Sequence, residues 1–341
     1  MTLTDFKARL KSGALSGFYI FAGEEDYLKN HYRGELKRQA SGDGAFEMFN
    51  YSLFDGADMD IAAVREALYA PPMMSDYKVI EWRHADLDKL KESEVKALVE
   101  LGEAKEDFPY AVFIITALRD GFETTEKKPS RLHARLKEHY EVLIFEKSTD
   151  SQLLSWLKKH FDAEGVGVDL ATLNAMLFRV GHSMEQLEKE VSKLAYYAKA
   201  NGKAAVNTED VYEVCSATVE CDAFAISNAI IEKNMEKAFL ALTDMKAQRI
   251  EPYVVLAQLS KTYGDLLSIS LLMDEGKGAE AIAEIMKFHP YRLSLYMRAA
   301  KKIGTVRLSD SLGRLVKTDA ASKMGGIGGY GAIEMFITQN I

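Results

Sequence analysis

Phe18-Tyr-Ile-Phe-Ala-Gly-Glu-Glu-Asp-Tyr-Leu-Lys-Asn30 decides the fold, because a run of bulky apolar residues ends on a glycine and gives way at once to a charged, amphipathic stretch. A short unbroken apolar run closed by a turn residue marks a strand buried on both faces, as in a parallel sheet covered by helices. The pattern recurs. Phe46-Glu-Met-Phe-Asn-Tyr51, Lys78-Val-Ile-Glu-Trp82, Ala111-Val-Phe-Ile-Ile-Thr116 and Tyr140-Glu-Val-Leu-Ile-Phe145 are the further candidate strands. Between them, helical spacing fills Tyr27 to Gln39, Met59 to Leu68, Asp88 to Leu101 and Ser130 to Glu138. Alternation of this kind predicts a three-layer α/β domain with a parallel sheet. After Phe145 no strand pattern returns, and apolar residues recur at helical spacing from Gln152 to the C-terminus, which predicts all-α structure.

A boundary is expected near Lys147, where Ser148-Thr-Asp150 reads as a helix cap ahead of Gln152-Leu-Leu-Ser-Trp-Leu157, and a second near Thr218. The expected division is 1–147, 148–217 and 218–341. Within the middle part Ser183-Met-Glu-Gln186 fits a capping box, after which Leu187, Val191 and Leu194 line one helix face. In the last part a long helix is expected over Tyr253 to Met273. Gly325-Gly-Ile-Gly-Gly-Tyr-Gly331 lies between two helical segments, so it reads as a turn or hinge; a phosphate cradle would follow a strand.

Composition narrows the function classes. The 341 residues are 48% apolar and 28% charged, with a net charge of −8, as in an ordinary globular protein with two or three cores. That balance excludes nucleic-acid binding by bulk electrostatics and leaves only local basic patches. Met1-Thr-Leu-Thr-Asp-Phe-Lys-Ala-Arg-Leu10 lacks the apolar core of a signal peptide, and Tyr110 to Leu118 is too short to span a bilayer, so no membrane association and a cytoplasmic location are expected. Cys215 and Cys221 read as reduced, half-buried thiols.

A strand that runs into a glycine turn and a helix invites comparison with the phosphate loop G-x-x-x-x-G-K-[ST]. Here Gly23 and Lys29 keep their places, but Leu28 replaces the second glycine and Asn30 the magnesium-binding hydroxyl. Glu24, Glu25 and Asp26 would oppose phosphate oxygens with like charge. The strand Lys78 to Trp82 offers only Glu81 in place of a terminal Asp-Glu pair. The nucleotide site is therefore read as degenerate and non-functional, with no cofactor. The seven histidines show no metal-ligand spacing, and His84-Ala-Asp86 reads as an exposed loop pair. Glu185, Glu188 and Glu190 beside Lys189 and Lys193 suggest solvated ion pairing, not an acid–base couple. Catalytic residues are not assigned.

Leu68-Tyr-Ala-Pro-Pro-Met-Met-Ser-Asp-Tyr-Lys-Val-Ile-Glu-Trp82 places Met73 and Met74 where a helix should end. Pro71 and Pro72 stop the helix and hold the chain extended, which sets the methionines at a turn tip before the next strand. They either fold back onto that strand or enter another protein's apolar pocket, where each would contribute roughly 1.5–3 kcal/mol if fully buried.

Over essentially its whole length the chain resembles the delta subunit of the bacterial DNA polymerase III clamp loader, on Phe18-Tyr-Ile-Phe-Ala-Gly-Glu-Glu-Asp-Tyr-Leu28, Pro72-Met-Met-Ser75 and Leu187-Glu-Lys-Glu-Val-Ser-Lys-Leu-Ala-Tyr196 in that order. The resemblance implies an AAA+-like three-domain chain: an α/β domain, a helical lid over 148–217 and a helical collar over 218–341. It implies no ATP hydrolysis by this subunit, in keeping with Glu185 and the lack of arginine between Gly181 and Leu187. Pro72, Met73, Met74 and Ser75 would then bind the sliding clamp, the methionine pair standing where the family usually has leucine or phenylalanine. The implied partners are the clamp, ATPase and delta-prime-like subunits of the loader, and primed DNA in the assembled complex. The alternative is an AAA+-type ATPase with a divergent nucleotide site. From Tyr291 to Lys317, Arg292, Arg298, Lys301, Lys302, Arg307, Arg314 and Lys317 face only Asp310, a stretch that reads either as a phosphate track or as a solvated helix face.

Overall fold

The computed structural model describes residues 1–41, 47–56, 60–122, 131–324 and 328–341. Phe46, Met59, Ser130 and the first three residues of the 325–331 glycine stretch lie outside them. The described chain divides into two units, Met1–Ser148 and Thr149–Ile341.

The first unit runs α1 (Leu3–Ser12), β1 (Gly17–Ala22), α2 (Asp26–Ser41), α3 (Glu47–Asn50), β2 (Tyr51–Asp55), α4 (Ile61–Tyr69), β3 (Lys78–Ala85), α5 (Glu92–Glu103), β4 (Ala111–Ala117), α6 (Arg131–Lys137) and β5 (Glu141–Ile144). Among the described residues all strand pairs of this unit are parallel, in the order β2-β3-β4-β1-β5. The expected sheet is present. Alternation within strands that are buried on both sides creates two apolar layers. Phe18, Ile20, Ile80, Trp82 and Phe113 face Val64, Leu68, Leu98 and Leu136 on α4, α5 and α6. Tyr19, Phe21, Val79 and Val112 face Phe6, Leu10, Leu36 and Ala40 on α1 and α2. Register is locked by pairs such as Phe18 with Phe113 and Ile20 with Ile115, since a one-residue slip would exchange the two layers.

One expected strand is corrected. Of Phe46 to Tyr51, residues Glu47–Asn50 form the short helix α3, and pairing with β3 begins only at Tyr51. α1 was not anticipated, although Thr2 and Asp5 form a reciprocal capping box at its start.

The second unit runs α7 (Asp150–Ala163), β6 (Gly167–Val168), α8 (Leu170–Val180), α9 (Met184–Ala200), β7 (Ala205–Val206), α10 (Thr208–Val214), α11 (Val219–Ile231), α12 (Met235–Ala247), α13 (Pro252–Asp274), α14 (Ala279–Met286), α15 (Pro290–Ile303), α16 (Thr305–Lys323) and α17 (Tyr330–Asn340). It is all-helical apart from the two-residue parallel pair β6 and β7, a departure from the strand-free expectation. Thr149 caps α7 through a full capping box with Gln152. Ser183 accepts from the Gln186 amide at the start of α9, where Leu187, Val191 and Leu194 are buried as the spacing predicts. Thr218, at the second expected boundary, caps α11. The core gathers Ile226 and Ile230 of α11, Leu259 and Tyr263 of α13, Tyr296 of α15 and Phe336 of α17. Cys215 and Cys221 are both unbridged and buried, and burial pushes each thiol up to about 12. Among the described residues no single helix is long and apolar enough to cross a membrane.

Candidate functional site

Because the strands are parallel, the sheet has one edge of strand starts and one of strand ends. The segment that carries Met73 and Met74 leads into β3 and lies at the starting edge. The glycine turn leaves β1 at the ending edge, where open α/β sheets usually bind ligands.

At the starting edge, Ala70 is extended, as a residue before proline must be, and α4 stops at Tyr69. The methionines do not fold back onto β3. Met73 is 46% and Met74 82% exposed, while Pro72 and Ser75 are half-buried beside them. Met74 has φ 55, in the left-handed region where an unbranched non-glycine residue is strained by about 1–2 kcal/mol. Side chains from several elements hold the backbone of this turn. The Asn50 amide donates to the Met73 carbonyl at 2.8 Å and accepts from the Met73 amide at 2.6 Å. Lys78 Nζ reaches back to the Ala70 carbonyl at 3.0 Å, and burial lowers its pKa. Tyr77 donates its hydroxyl to the Gly13 carbonyl at 2.8 Å, and Ser75 Oγ lies 3.5 Å from the Ala40 carbonyl. The backbone of Met73 is thus bonded inward while its side chain and that of Met74 stand outward.

Below the turn, Glu81 is a buried carboxylate ringed by Arg83 Nε at 2.5 Å, Arg33 at 3.1 Å and the Tyr51 hydroxyl at 2.5 Å. Burial raises its pKa, but hydrogen bonds from Arg83 and Tyr51 and the charge of Arg33 outweigh that and hold the carboxyl below its ordinary value. Glu81 therefore ties α2, β2 and β3 together and does not stand open to a metal.

At the ending edge, Gly23 is buried with φ 104, and a Cβ there would lie 2.4 Å from the Phe145 carbonyl. The Glu25 amide donates to the same carbonyl at 2.9 Å, so a backbone group that a phosphate would need is already used. Leu28 packs against the apolar layer under α1 and α2. Lys29 is 1% exposed, paired with Asp26 at 2.8 Å and donating to the Ala117 carbonyl at 3.2 Å. Asn30 is exposed on α2. Burial raises the Glu25 pKa. A cavity of about 630 Å³ opens beyond the loop, lined by Gly23, Glu24, Asp88, Arg119, Asp120, Phe122, Ile144, Glu146 and Lys147. Arg119 lies 2.9 Å and Lys147 3.9 Å from Glu24. With four carboxylates against two cations, the cavity's charge opposes a triphosphate.

The remaining candidates are pairs within the fold. His84 is exposed and lies 2.5 Å from Asp55, and Asp86 meets Lys89 at 2.7 Å. Among the described residues no group of three His, Cys, Asp or Glu could hold a metal ion. Glu185 pairs with Lys189 at 2.7 Å on the surface, whereas Glu190, paired with Lys193, is buried and not solvated as expected. In the basic stretch, Arg292 pairs with Glu220 and with Asp265 at 3.3 Å, Lys302 faces Glu232 at 3.8 Å, and Arg314 donates to the Gln339 carbonyl at 3.0 Å. These three of the seven cations are thus engaged inside the second unit.

Sequence reasoning missed Asn50 and the two apolar residues before it. Met48 is 77% and Phe49 51% exposed on α3. The available signal is an asparagine inside the apolar run Phe46 to Tyr51, where a strand disfavours such a residue.

Comparison with known proteins gives a consistent set of likenesses. A family model described as "DNA polymerase III, delta subunit" matches residues 19–146, and one described as "DNA polymerase III delta subunit, C-terminal domain" matches residues 220–340. A Bacillus subtilis protein named DNA polymerase III subunit delta is 22% identical over 336 residues, covering 97% of this chain and 94% of that protein. A probable DNA polymerase III subunit delta of Aquifex aeolicus is 23% identical, with 90% and 86% covered. The solved structure of a Bacillus subtilis DNA clamp loader delta protein superposes with a TM-score of 0.59 at 21% identity, covering 98% of each chain, which shows a common fold.

Proposed function

Because the chain belongs to the DNA polymerase III delta-subunit family, we propose that it is the arm of a clamp loader that binds the sliding clamp through Pro72, Met73, Met74 and Ser75 and traps the open ring for loading onto primed DNA. The observation that carries this reading is Met74: a large apolar side chain, 82% exposed, on a left-handed residue inside a turn whose backbone is fixed by buried partners. Strain and exposure both disfavour the free protein, and an external apolar pocket would offset the exposure.

The energy for opening would come from neighbouring ATPase subunits. Support for this division of labour is the state of the nucleotide loop, where Lys29 is sequestered and Gly23 is closed against the Phe145 backbone that follows β5. A binding surface without fuel can shift the clamp only by its difference in affinity for the open and closed rings. Residues 148–217 would serve as the lid and 218–341 as the collar that joins the ATPase and delta-prime-like subunits, all in the cytoplasm.

The test is binding to the same organism's sliding clamp by wild type and by a Met73→Ala, Met74→Ala double variant. The expected loss is about 2–4 kcal/mol with an unchanged thermal midpoint. Equal affinity would sink the reading. The isolated protein should also retain no labelled ATP with magnesium, and stoichiometric retention would favour the divergent ATPase.

A further inference from the structure

Asn50 lies outside the clamp-binding tetrad, yet it governs its shape. Its side chain is fully buried at the end of α3 and cannot itself touch a partner in this conformation. The planar amide presents its NH2 and its carbonyl oxygen at fixed spacing, and each makes a bond to Met73, the NH2 donating to the carbonyl and the oxygen accepting from the amide. A single side chain thus does for Met73 what a neighbouring strand would do. The support is itself rigid: the adjoining Tyr51 donates to Glu81, accepts from Arg83 at 3.0 Å and carries Lys37 over its ring at 3.7 Å.

We propose that Asn50 is a positioning residue that fixes the Met73–Met74 backbone in its binding geometry before the clamp arrives; this rests on the reading that the turn grips the clamp. Holding a loop in its bound shape raises affinity without adding a contact, because the ordering cost is met during folding and not on association. Serine could satisfy only one of the two Met73 groups well, and aspartate would set a charge against the carbonyl.

The experiment is a binding cycle on the full chain with the sliding clamp: wild type, Asn50→Ala, the double methionine variant and the combination of all three changes. Asn50→Ala should weaken binding about tenfold when the methionines are present and less than about twofold when they are absent, a coupling that loss of stability alone would not produce. Wild-type affinity, or the same factor lost in both backgrounds, overturns the positioning role alone. No loss from the double methionine variant overturns the clamp reading and this inference with it. Should Asn50→Ala not fold, Asn50→Ser is scored by the same criteria. The unsubstituted protein gives an independent result: the Met73 amide should exchange slowly with solvent deuterium, and exchange at the rate of an open loop would refute the proposal.

Discussion

The turn before β3 and the loop after β1 belong to one sheet and lie at opposite ends of its strands, and in each, key polar groups are satisfied from within. The consequences are opposite. In the turn, Asn50, Lys78 and Tyr77 use up the inward polar contacts and leave methionine side chains facing water. In the loop, Phe145, Ala117 and Asp26 absorb the groups that a phosphate would require, and the lysine is swallowed. The usual order of apolar inside and charged outside is inverted at both places. At the ending edge of the α/β sheet the lysine is buried in internal contacts, and at the starting edge the methionine side chains are exposed.

The largest effect expected from breaking this contrast lies in the loop. Gly23→Ala would drive a Cβ into the Phe145 backbone and impose φ 104 on a residue that rarely adopts it. A loss of about 3 kcal/mol in urea unfolding is expected, with the clamp affinity of the folded protein unchanged. A neutral result would mean the loop can open, as a working phosphate loop must.

Next in size is a pair of carboxylates, one from each region. Glu81→Gln leaves Arg33 and Arg83 without their countercharge and should cost about 2 kcal/mol at pH 7. Glu81's folded pKa is depressed, so its contribution is present above the ordinary 4.5 and lost as pH falls through the folded value; the variant's cost should shrink there. Glu25's folded pKa is raised, so its contribution is complete below 4.5 and lost as pH rises through the folded value. Glu25→Gln should therefore stabilise at pH 7 and lose that gain in acid. Denaturation curves for both variants at neutral and acid pH check the opposite slopes; parallel slopes would erase the electrostatic half of the contrast.

What the sequence disclosed follows the same physics. β1 and β4 were legible because burial on both faces leaves unbroken apolar runs, and β3 and β5 because shorter apolar clusters survive around a glutamate. The turn tip before β3 was legible because two prolines end the helix, but the outward direction of its methionines was not. β2 was misplaced at its start because none of its residues is fully buried, so no unbroken apolar run marks where it begins. β6 and β7 are too short to show a period. The substitutions in the loop after β1 were legible, but the fate of Lys29 was not, since a lysine reads as a solvated charge until its acceptor, 88 residues away, is known. Asn50 was missed for the same reason: its meaning lies in a backbone 23 residues downstream.

The smallest effect is the one that separates the two regions most cleanly. Met74→Gly removes the left-handed penalty of about 1–2 kcal/mol but restores freedom to the unfolded chain, so a net stabilisation of about 0.5 kcal/mol is expected. Clamp affinity should fall at the same time, by about 1–2 kcal/mol, through loss of one anchoring side chain. Opposite signs in the two measurements are what a residue kept for a partner at its own fold's expense must give. A fall in stability alongside affinity would mean that Met74 is held by packing within the turn, and the outward turn would then differ from the inward loop only in degree.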